Sequence, residues 1–287
     1  MTHPSYILTT STPDTTGIVA AITGFLADHG ALITETQHFR DPPGNRSYLR
    51  AGFHDAGAGR LPEPAGFAAA FAPIAARFGM DWQLYEAARR CRALIAVSKQ
   101  GHCLNSMLHR WHSGTLPIDV VGVVSNHDEH RRLTEWYGLP YHWLPISAAG
   151  KPAQEAQLLA LFEASGAELL VLARYMQVLS AAACARLTGR AINIHHSFLP
   201  GFKGARPYHQ AYERGVKLIG ATAHYVTEDL DDGPIIEQEV GRVDHNMDPA
   251  ELTSIGHDLE SVALNRAVRW HAEHRVFVHG RRTVVLR

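Results

Sequence analysis

Two short stretches of the sequence place polar side chains directly behind apolar runs. The first is "NIHHSFLP", in which Asn193, His195 and His196 lie close together. His is the usual general acid or base near neutral pH, and Asn can donate a hydrogen bond to a developing oxyanion. Along an extended strand, residues i and i+2 face the same side. We therefore expect Asn193 and His195 to point together and His196 to face away from them.

The second stretch, "TEDLDDGP", supplies carboxylates at Glu228, Asp229, Asp231 and Asp232. An imidazole works best as a catalyst when a carboxylate fixes its tautomer and stabilises its charged form. Spacing alone does not select one acid among the four. The residues also have a plainer interpretation, in which the acids are solvated loop residues and the Asn-x-His pair only satisfies backbone groups.

Length and composition exclude several classes of protein. The chain has 287 residues, 46% of them hydrophobic, and a net charge of -1, so nothing favours nucleic acid or a membrane as a partner. Its length suits one large domain or two smaller ones. Cys91, Cys103 and Cys184 are too scattered for a disulfide scaffold or a thiolate zinc site. The 19 His residues include no HExxH or comparable pattern, and we expect no metal.

Targeting signals are not evident in the sequence. The start, "MTHPSYILTTSTPD", shows no basic region followed by an apolar one, and no apolar run approaches the ~20 residues needed to cross a bilayer. The scattered cysteines suit a reducing compartment. We therefore expect a soluble, cytoplasmic protein.

The first 89 residues predict a small domain with the element order βαββαβ, which is the ferredoxin-like split pattern. The run from Ile18 to Leu26 has apolar residues at helical spacing and is ended by Gly30. The stretches "ALITETQHF" and "RSYLRAGFH" are predicted strands, joined by the hairpin-type loop "RDPPGN".

Residues 90–287 have a different rhythm, because near-continuous apolar strands alternate with helices. This alternation indicates a parallel sheet covered on both faces. The later stretches "KLIGATAHYV" and "GPIIEQEVGRV" are expected to be antiparallel, followed by a long helix from about Asp248 to His274 and a terminal hairpin. The predicted fold class is thus α/β, with a ferredoxin-like domain followed by a Rossmann-like, mostly parallel, doubly wound sheet that has an antiparallel end. Ligands of such sheets bind beyond the carboxyl ends of the strands, where "NIHHSFLP" lies.

Two segments of the second domain resemble a known family. "NIHHSFLPGFKGA" and "HYVTEDLDDGPII" are similar to the signature segments of the folate-dependent formyltransferases, which carry an Asn-x-His pair and an Asp in a Leu-Asp-x-Gly-Pro loop. These residues match Asn193, His195 and Asp231. The segment from Arg206 to Ile236 and the terminal "RAVRWHAEHRVFVHGRRTVV" look like one branch in particular, the formyltetrahydrofolate deformylases. That branch has an N-terminal ACT domain, and "TTSTPDTTGIVAAITGFLADHG" resembles the start of one.

The resemblance implies hydrolysis of 10-formyltetrahydrofolate to formate and tetrahydrofolate, which would feed one-carbon and purine metabolism. Asn193 would donate to the formyl oxygen, His195 would manage the proton of the attacking water or stabilise the oxyanion, and Asp231 would hold His195. The folate is the substrate, and no cofactor is expected. The residues that the resemblance places around it are Met176, Gln177, Val178, Leu179, Val226, Thr227, Glu228 and Asp229.

Two other functions remain open at this point. A formyltransferase would pass the formyl group to an amine. However, the stretch "SKQGHCLNS" stands where related transferases carry a Gly/Ser-rich phosphate loop. We expect the side chains of Lys99, Gln100, His102 and Cys103 to crowd an acceptor there. An amino-acid-sensing protein with an inactive second domain is the third hypothesis. The resemblance also implies an amino-acid effector at Asp14 and Gly17, and a homo-oligomer, either a dimer or a tetramer.

Overall fold

The structure is a computed structural model in which the chain forms two compact units. The residues that it describes are 4–57, 59–146, 150–199 and 207–287. None of the helices within these ranges is long and apolar enough to cross a membrane. The stretch 200–206, which completes the resembling segment "NIHHSFLPGFKGA", lies outside the described residues.

The first unit contains the chain up to Arg90 together with Glu273–Phe277 and Val285–Arg287. Its elements are β1 (Ser5–Pro13), α1 (Ile18–Asp28), β2 (Ala31–Asp41), β3 (Arg46–Asp55), α2 (Pro64–Phe78) and β4 (Asp81–Glu86). The predicted order βαββαβ is confirmed. The strands form an antiparallel sheet in the order β2-β3-β1-β4.

Aromatic packing holds the helices of the first unit together. Phe25 of α1 is buried, and its ring lies 5.2 Å from those of Phe67 and Phe71 on α2. Edge-to-face contacts of this kind add to the free energy of burial. Gly30 adopts a φ of 73° just after α1, a left-handed conformation that glycine enters without strain. The predicted end of the helix is thus confirmed.

The second unit contains Cys91–Ala272 and Val278–Val284. Its strands are β5 (Cys91–Val97), β6 (Ile118–Ser125), β7 (Tyr141–Trp143), β8 (Leu169–Leu172), β9 (Ala191–His195), β10 (Leu218–Tyr225), β11 (Ile235–Arg242), β12 (Val276–His279) and β13 (Arg282–Val285). Its helices are α3 (His102–His112), α4 (Arg131–Trp136), α5 (Lys151–Ala164), α6 (Ala181–Arg186), α7 (Pro207–Glu213) and α8 (Pro249–Ala272). The strand order is β12-β13-β11-β10-β9-β8-β5-β6-β7.

The strand directions confirm the predicted fold class. Strands β5 to β9 pair in parallel, whereas β10 is antiparallel to both β9 and β11. The parallel strands are buried on both faces: Leu94 and Leu170, on neighbouring strands, have no exposed surface. Because β5, β8 and β9 run in the same direction, their carboxyl ends meet at one edge of the sheet.

Candidate active site

A cavity of about 350 Å³ opens beyond the carboxyl ends of β8 and β9. Its size is within the usual range for small-molecule sites. It is lined by the segment after β8, by the end of β9 and by the loop between β10 and β11. The sequence-predicted residues that line it are Asn193, His195, Asp231, Met176, Gln177, Val178, Leu179, Val226, Thr227, Glu228 and Asp229. Every residue predicted for catalysis or for folate binding therefore lies around one cavity.

Strand pairing positions the first two of these residues. Asn193 and His195 alternate on β9, as the period of a strand requires. The antiparallel neighbour β10 places His224 directly opposite Asn193, and side chains of directly opposite residues share a face of the sheet. His224 was not singled out from the sequence. Only the register between the two strands reveals it, and no local sequence pattern sets that register.

The loop between β10 and β11 brings Asp231 back over the end of β9. Asp231 has a φ of 54°, in the left-handed region that Asp enters more readily than most residues. A Cβ at Gly233 would come within 1.8 Å of the carbonyl oxygen of Tyr225, so the chain can turn this closely only with glycine there. The same carbonyl accepts a hydrogen bond from His224 Nδ1 at 2.9 Å.

Four side chains, which we call the Asp231 cluster, form a network in this cavity: Asn193, His195, His224 and Asp231. His195 Nδ1 lies 3.1 Å from Asp231 Oδ2, and His224 Nε2 lies 3.7 Å from Asp231 Oδ1. His195 is 5% exposed, and its Nε2 has no hydrogen-bonding partner among the described residues. Of the four acids that the sequence offers, it is therefore Asp231 that holds His195.

The charge of Asp231 is stabilised by its neighbours. Burial alone would raise the pKa of this carboxyl, but the hydrogen bond from His195 and the nearness of the His195 and His224 rings outweigh it, and the pKa lies well below its ordinary value. Asp231 is thus a carboxylate at neutral pH. Both of its oxygens face histidines, which makes it an orienting group and a poor proton acceptor.

The amide of Asn193 engages two members of the cluster. Its nitrogen lies 3.2 Å from His224 Nε2 and 3.5 Å from Asp231 Oδ1. Because His224 Nδ1 donates to the backbone of Tyr225, its Nε2 is left to accept from the first amide hydrogen. The longer contact is at the limit of a hydrogen bond, so the second hydrogen is only weakly held.

His196 does not lie where the sequence predicts. It lines the same cavity as His195, and the two ring centroids are 5.1 Å apart at 83°. The prediction that it faces away is wrong, because β9 ends at His195 and the alternation of side chains ends with it. Burial, and secondly the positive charges of Arg174 and His195, lower the pKa of His196 to about 4.

Comparison with known proteins identifies the family. The formyl transferase family model matches residues 91–268. The formyltetrahydrofolate deformylase of Corynebacterium sp. (strain P-1) is 54% identical over 282 residues, which make up 98% of this chain and 98% of the relative. The chain belongs to the formyltetrahydrofolate deformylase family. This confirms the resemblance in the sequence.

A solved structure supports the assignment over the whole chain. The crystal structure of formyltetrahydrofolate deformylase from Burkholderia mallei has a TM-score of 0.93 and 52% identity, and the match covers 100% of both chains. The deformylase of Bacillus subtilis (strain 168) is 46% identical over 279 residues, 97% of this chain and 92% of the relative. The deformylase family therefore accounts for both units, whereas the formyl transferase model matches only the part that contains the cavity.

A second polar network of this deformylase-family chain, which we call the Glu260 cluster, consists of His102, Arg174, Tyr208 and Glu260. Glu260 has no exposed surface. Its carboxylate faces His102 Nε2 at 2.8 Å and Arg174 Nε at 3.3 Å, and it accepts from the hydroxyl of Tyr208 at 2.6 Å. Burial opposes the charge of Glu260, but these partners outweigh it, and the pKa of its carboxyl is lowered.

Arg174 links this network to the cavity. It lines the cavity, it is 6% exposed, and its Nε donates to Gln100 Oε1 at 3.0 Å. Its φ of 64° is unusual for a residue with a long side chain. Strained backbone of this kind persists where the surroundings fix it, and it occurs often at functional sites. Sequence patterns gave no signal for Arg174 or for Glu260, since one follows a strand end and the other lies within a long helix.

Two members of this cluster, His102 and Glu260, form a group of metal-ligating side chains with the neighbouring His257. The chemistry around them disfavours a cation. The rings of His102 and His257 are stacked, with centroids 3.8 Å apart and an angle of 13° between the planes. The guanidinium of Arg174 already neutralises Glu260. No step of the reaction proposed below uses a metal.

The loop predicted to crowd an acceptor does not line this cavity. Within the described residues, the cavity is lined by none of Lys99, Gln100, His102 and Cys103. Lys99 is exposed, whereas Cys103 is fully buried inside α3, and this burial raises the pKa of its thiol. Gln100 and His102 reach the cavity only through Arg174 and Glu260. The physical reason is that α3 begins at His102 and turns Cys103 into the core.

The residues predicted to bind an effector lie in the first unit. Gly17 precedes α1 with a φ of 89°, and no side chain caps the start of the helix. The carboxylate of Asp14 pairs with Arg40. Uncapped N–H groups at the start of a helix attract a negative group.

Proposed function

We propose that this chain hydrolyses 10-formyltetrahydrofolate to formate and tetrahydrofolate, and thereby supplies formate to one-carbon and purine metabolism in the cytoplasm. The observation that carries the proposal is the contact of His195 Nδ1 with Asp231 Oδ2 at 3.1 Å, which leaves the buried Nε2 of His195 free to act on a ligand in the cavity. Deformylases that match nearly the whole chain support the reaction.

The folate has an apolar surface to bind. Met176, Val178 and Leu230 line the cavity and are more than half exposed, at 58%, 51% and 62%. The backbone after β8 is held in place, since Met176 N–H donates to Ser98 Oγ at 3.0 Å. This fixed main chain offers hydrogen bonds to the pterin, and the apolar side chains cover the ring system.

The Asp231 cluster stabilises the charge that develops on the formyl oxygen. The weakly held second hydrogen of Asn193 and the Nε2–H of a protonated His195 both donate to that oxygen. Asp231 keeps the His195 ring oriented and compensates its positive charge. Preorganised donors of this kind lower a barrier by about 3 kcal/mol each.

The decisive experiment supplies 10-formyltetrahydrofolate to the pure protein without any amine. We expect formate and tetrahydrofolate to appear in equal amounts, and the His195→Ala variant to release little formate. Glycinamide ribonucleotide should neither accelerate the reaction nor become formylated. A protein that stays inactive until an amine is added, and then formylates the amine, would instead be a formyltransferase. Its catalytic residues would still be Asn193, His195 and Asp231.

The proposal extends to the first unit of the chain. This unit binds a regulatory amino acid at Asp14 and Gly17, and it joins copies of the chain into a dimer or a tetramer. The uncapped start of α1 supports this, because the carboxylate of an amino acid would accept from its N–H groups. Single amino acids are tested by their effect on turnover, with Asp14→Ala as the matched variant, and the mass in solution tests the oligomer.

A further inference from the structure

Hydrolysis needs a group that holds the attacking water and removes its proton. Asp231 is a poor candidate, since its two oxygens lie near His195 and His224. His195 Nε2 donates to the developing oxyanion in the proposed reaction, and one nitrogen cannot donate a proton there and accept another from water at the same time. The Asp231 cluster therefore leaves the water without a base.

One side chain of the cavity meets the requirement. His196 lines the cavity next to His195, and its Nδ1 is buried without a hydrogen-bonding partner among the described residues. A buried polar atom of this kind costs free energy unless something bonds to it. We propose that His196 Nδ1 holds the attacking water and accepts its proton, which makes His196 a catalytic residue of the proposed hydrolysis.

The surroundings of His196 keep its nitrogen available as an acceptor. The charged and titratable groups that face it are His195 on β9, Arg174 after β8, Glu260 on α8 and Asp231 from the loop between β10 and β11. The ring of Tyr208 on α7 lies 6.4 Å away and is nearly perpendicular. Burial, Arg174 and His195 hold the pKa at about 4, so the free ring is neutral at neutral pH. The negative charge of the oxyanion that forms beside His196 then favours the uptake of a proton by the His196 ring.

His196 takes a proton from the attacking water and later gives it to the leaving nitrogen, N10. As the water oxygen bonds to the formyl carbon, His196 Nδ1 takes one water proton, and the formyl oxygen becomes an oxyanion held by Asn193 and His195. The oxyanion then re-forms its double bond as the bond from carbon to N10 breaks. His196 gives its proton to N10, and the products are tetrahydrofolate and formic acid, which ionises to formate.

The test compares two nucleophiles in His196→Ala. Water needs a base, whereas hydroxylamine, a much stronger nucleophile, attacks a formyl group without one, and its own nitrogen then carries the proton that N10 takes up as it leaves. We expect the kcat for formate release to fall at least ~10²-fold with little change in KM, while formyl transfer to hydroxylamine stays close to that of the parent protein. His196→Asn keeps an acceptor near the position of Nδ1, and it should recover part of the lost turnover. His245→Ala, at an exposed histidine, is the control and should leave both reactions unchanged.

The inference rests on the proposed function, and the two can fail separately. Parent protein that releases no formate without an amine overturns the proposed function. Formate release by the parent protein together with an unchanged kcat in His196→Ala overturns the role of His196 alone. An equal loss toward water and hydroxylamine also overturns it, because a merely structural role would affect both nucleophiles.

Discussion

The Asp231 cluster and the Glu260 cluster are each built around one carboxylate in the same unit, yet their hydrogen bonding differs. Glu260 has no exposed surface, and its carboxylate meets a histidine, an arginine and a tyrosine within 3.3 Å. Asp231 meets two histidines, and one of them, His195, keeps a buried nitrogen without a partner among the described residues. A fully bonded buried network fixes a structure. A network with a free atom beside a cavity has the capacity to react.

The difference assigns separate roles to the two clusters. We expect the Asp231 cluster to carry chemistry and the Glu260 cluster to hold Arg174, and through it one wall of the cavity. Substitutions in the first should therefore remove activity and leave the fold, whereas substitutions in the second should weaken the fold first.

The largest effect is expected in the Asp231 cluster. Asp231→Asn and His195→Ala should each lower turnover roughly 10²–10⁴-fold, since they remove an orienting charge or the group that meets the oxyanion. Thermal unfolding should change little. The measurement pairs steady-state formate release with a melting curve, and Asp232→Asn, next in the chain, is the control. If His195→Ala kept near-parental turnover, the assignment of the cluster would fail.

The next effect is expected in the Glu260 cluster. Glu260→Leu leaves Arg174 buried without its counter-charge, and breaking a buried pair in this way costs about 3–5 kcal/mol of stability. Chemical denaturation measures the change. Asp258→Leu, at an exposed acid of the same helix, should cost far less. Equal losses in the two variants would show that Glu260 does not stabilise this part of the fold.

A smaller effect is expected at His271, a histidine whose pKa is lowered by burial. His271 bonds Tyr225 at 2.7 Å, and burial lowers its pKa to about 4. The folded protein thus binds fewer protons here than the unfolded chain, so the stabilisation is complete above the ordinary pKa of histidine and is lost as pH falls toward 4. The loss is about 3 kcal/mol. His271→Gln should flatten the decline in the free energy of unfolding between pH 7 and 4. An unchanged slope would contradict this account.

Local patterns in the sequence predict most of the fold. The order βαββαβ, the parallel strands with an antiparallel end and the long last helix all follow from apolar spacing, and α8 spans Pro249–Ala272 where about Asp248 to His274 was expected. Buried parallel strands need continuous apolar runs, and such runs are visible in a single sequence. Residues 200–206 lie outside the described structure.

Local patterns predict less of the site. Asn193, His195 and Asp231 were found through motifs that sit on single segments. His224 and Glu260 were missed because they join the site through strand register and helix packing, which link residues far apart in the chain. His196 was misplaced because the alternation of a strand was extended one residue beyond its end. Arg174 has a left-handed backbone conformation, which no sequence motif predicts.

The most direct test of the central claim follows the oxygen of the attacking water. The protein is given 10-formyltetrahydrofolate in water enriched in ¹⁸O, without an amine, and the formate is analysed by mass spectrometry during the first turnovers. The account predicts one heavy oxygen in each formate molecule, and little formate from His195→Ala. Formate without the label, or a formyl group that stays on the folate until an amine is added, would contradict it.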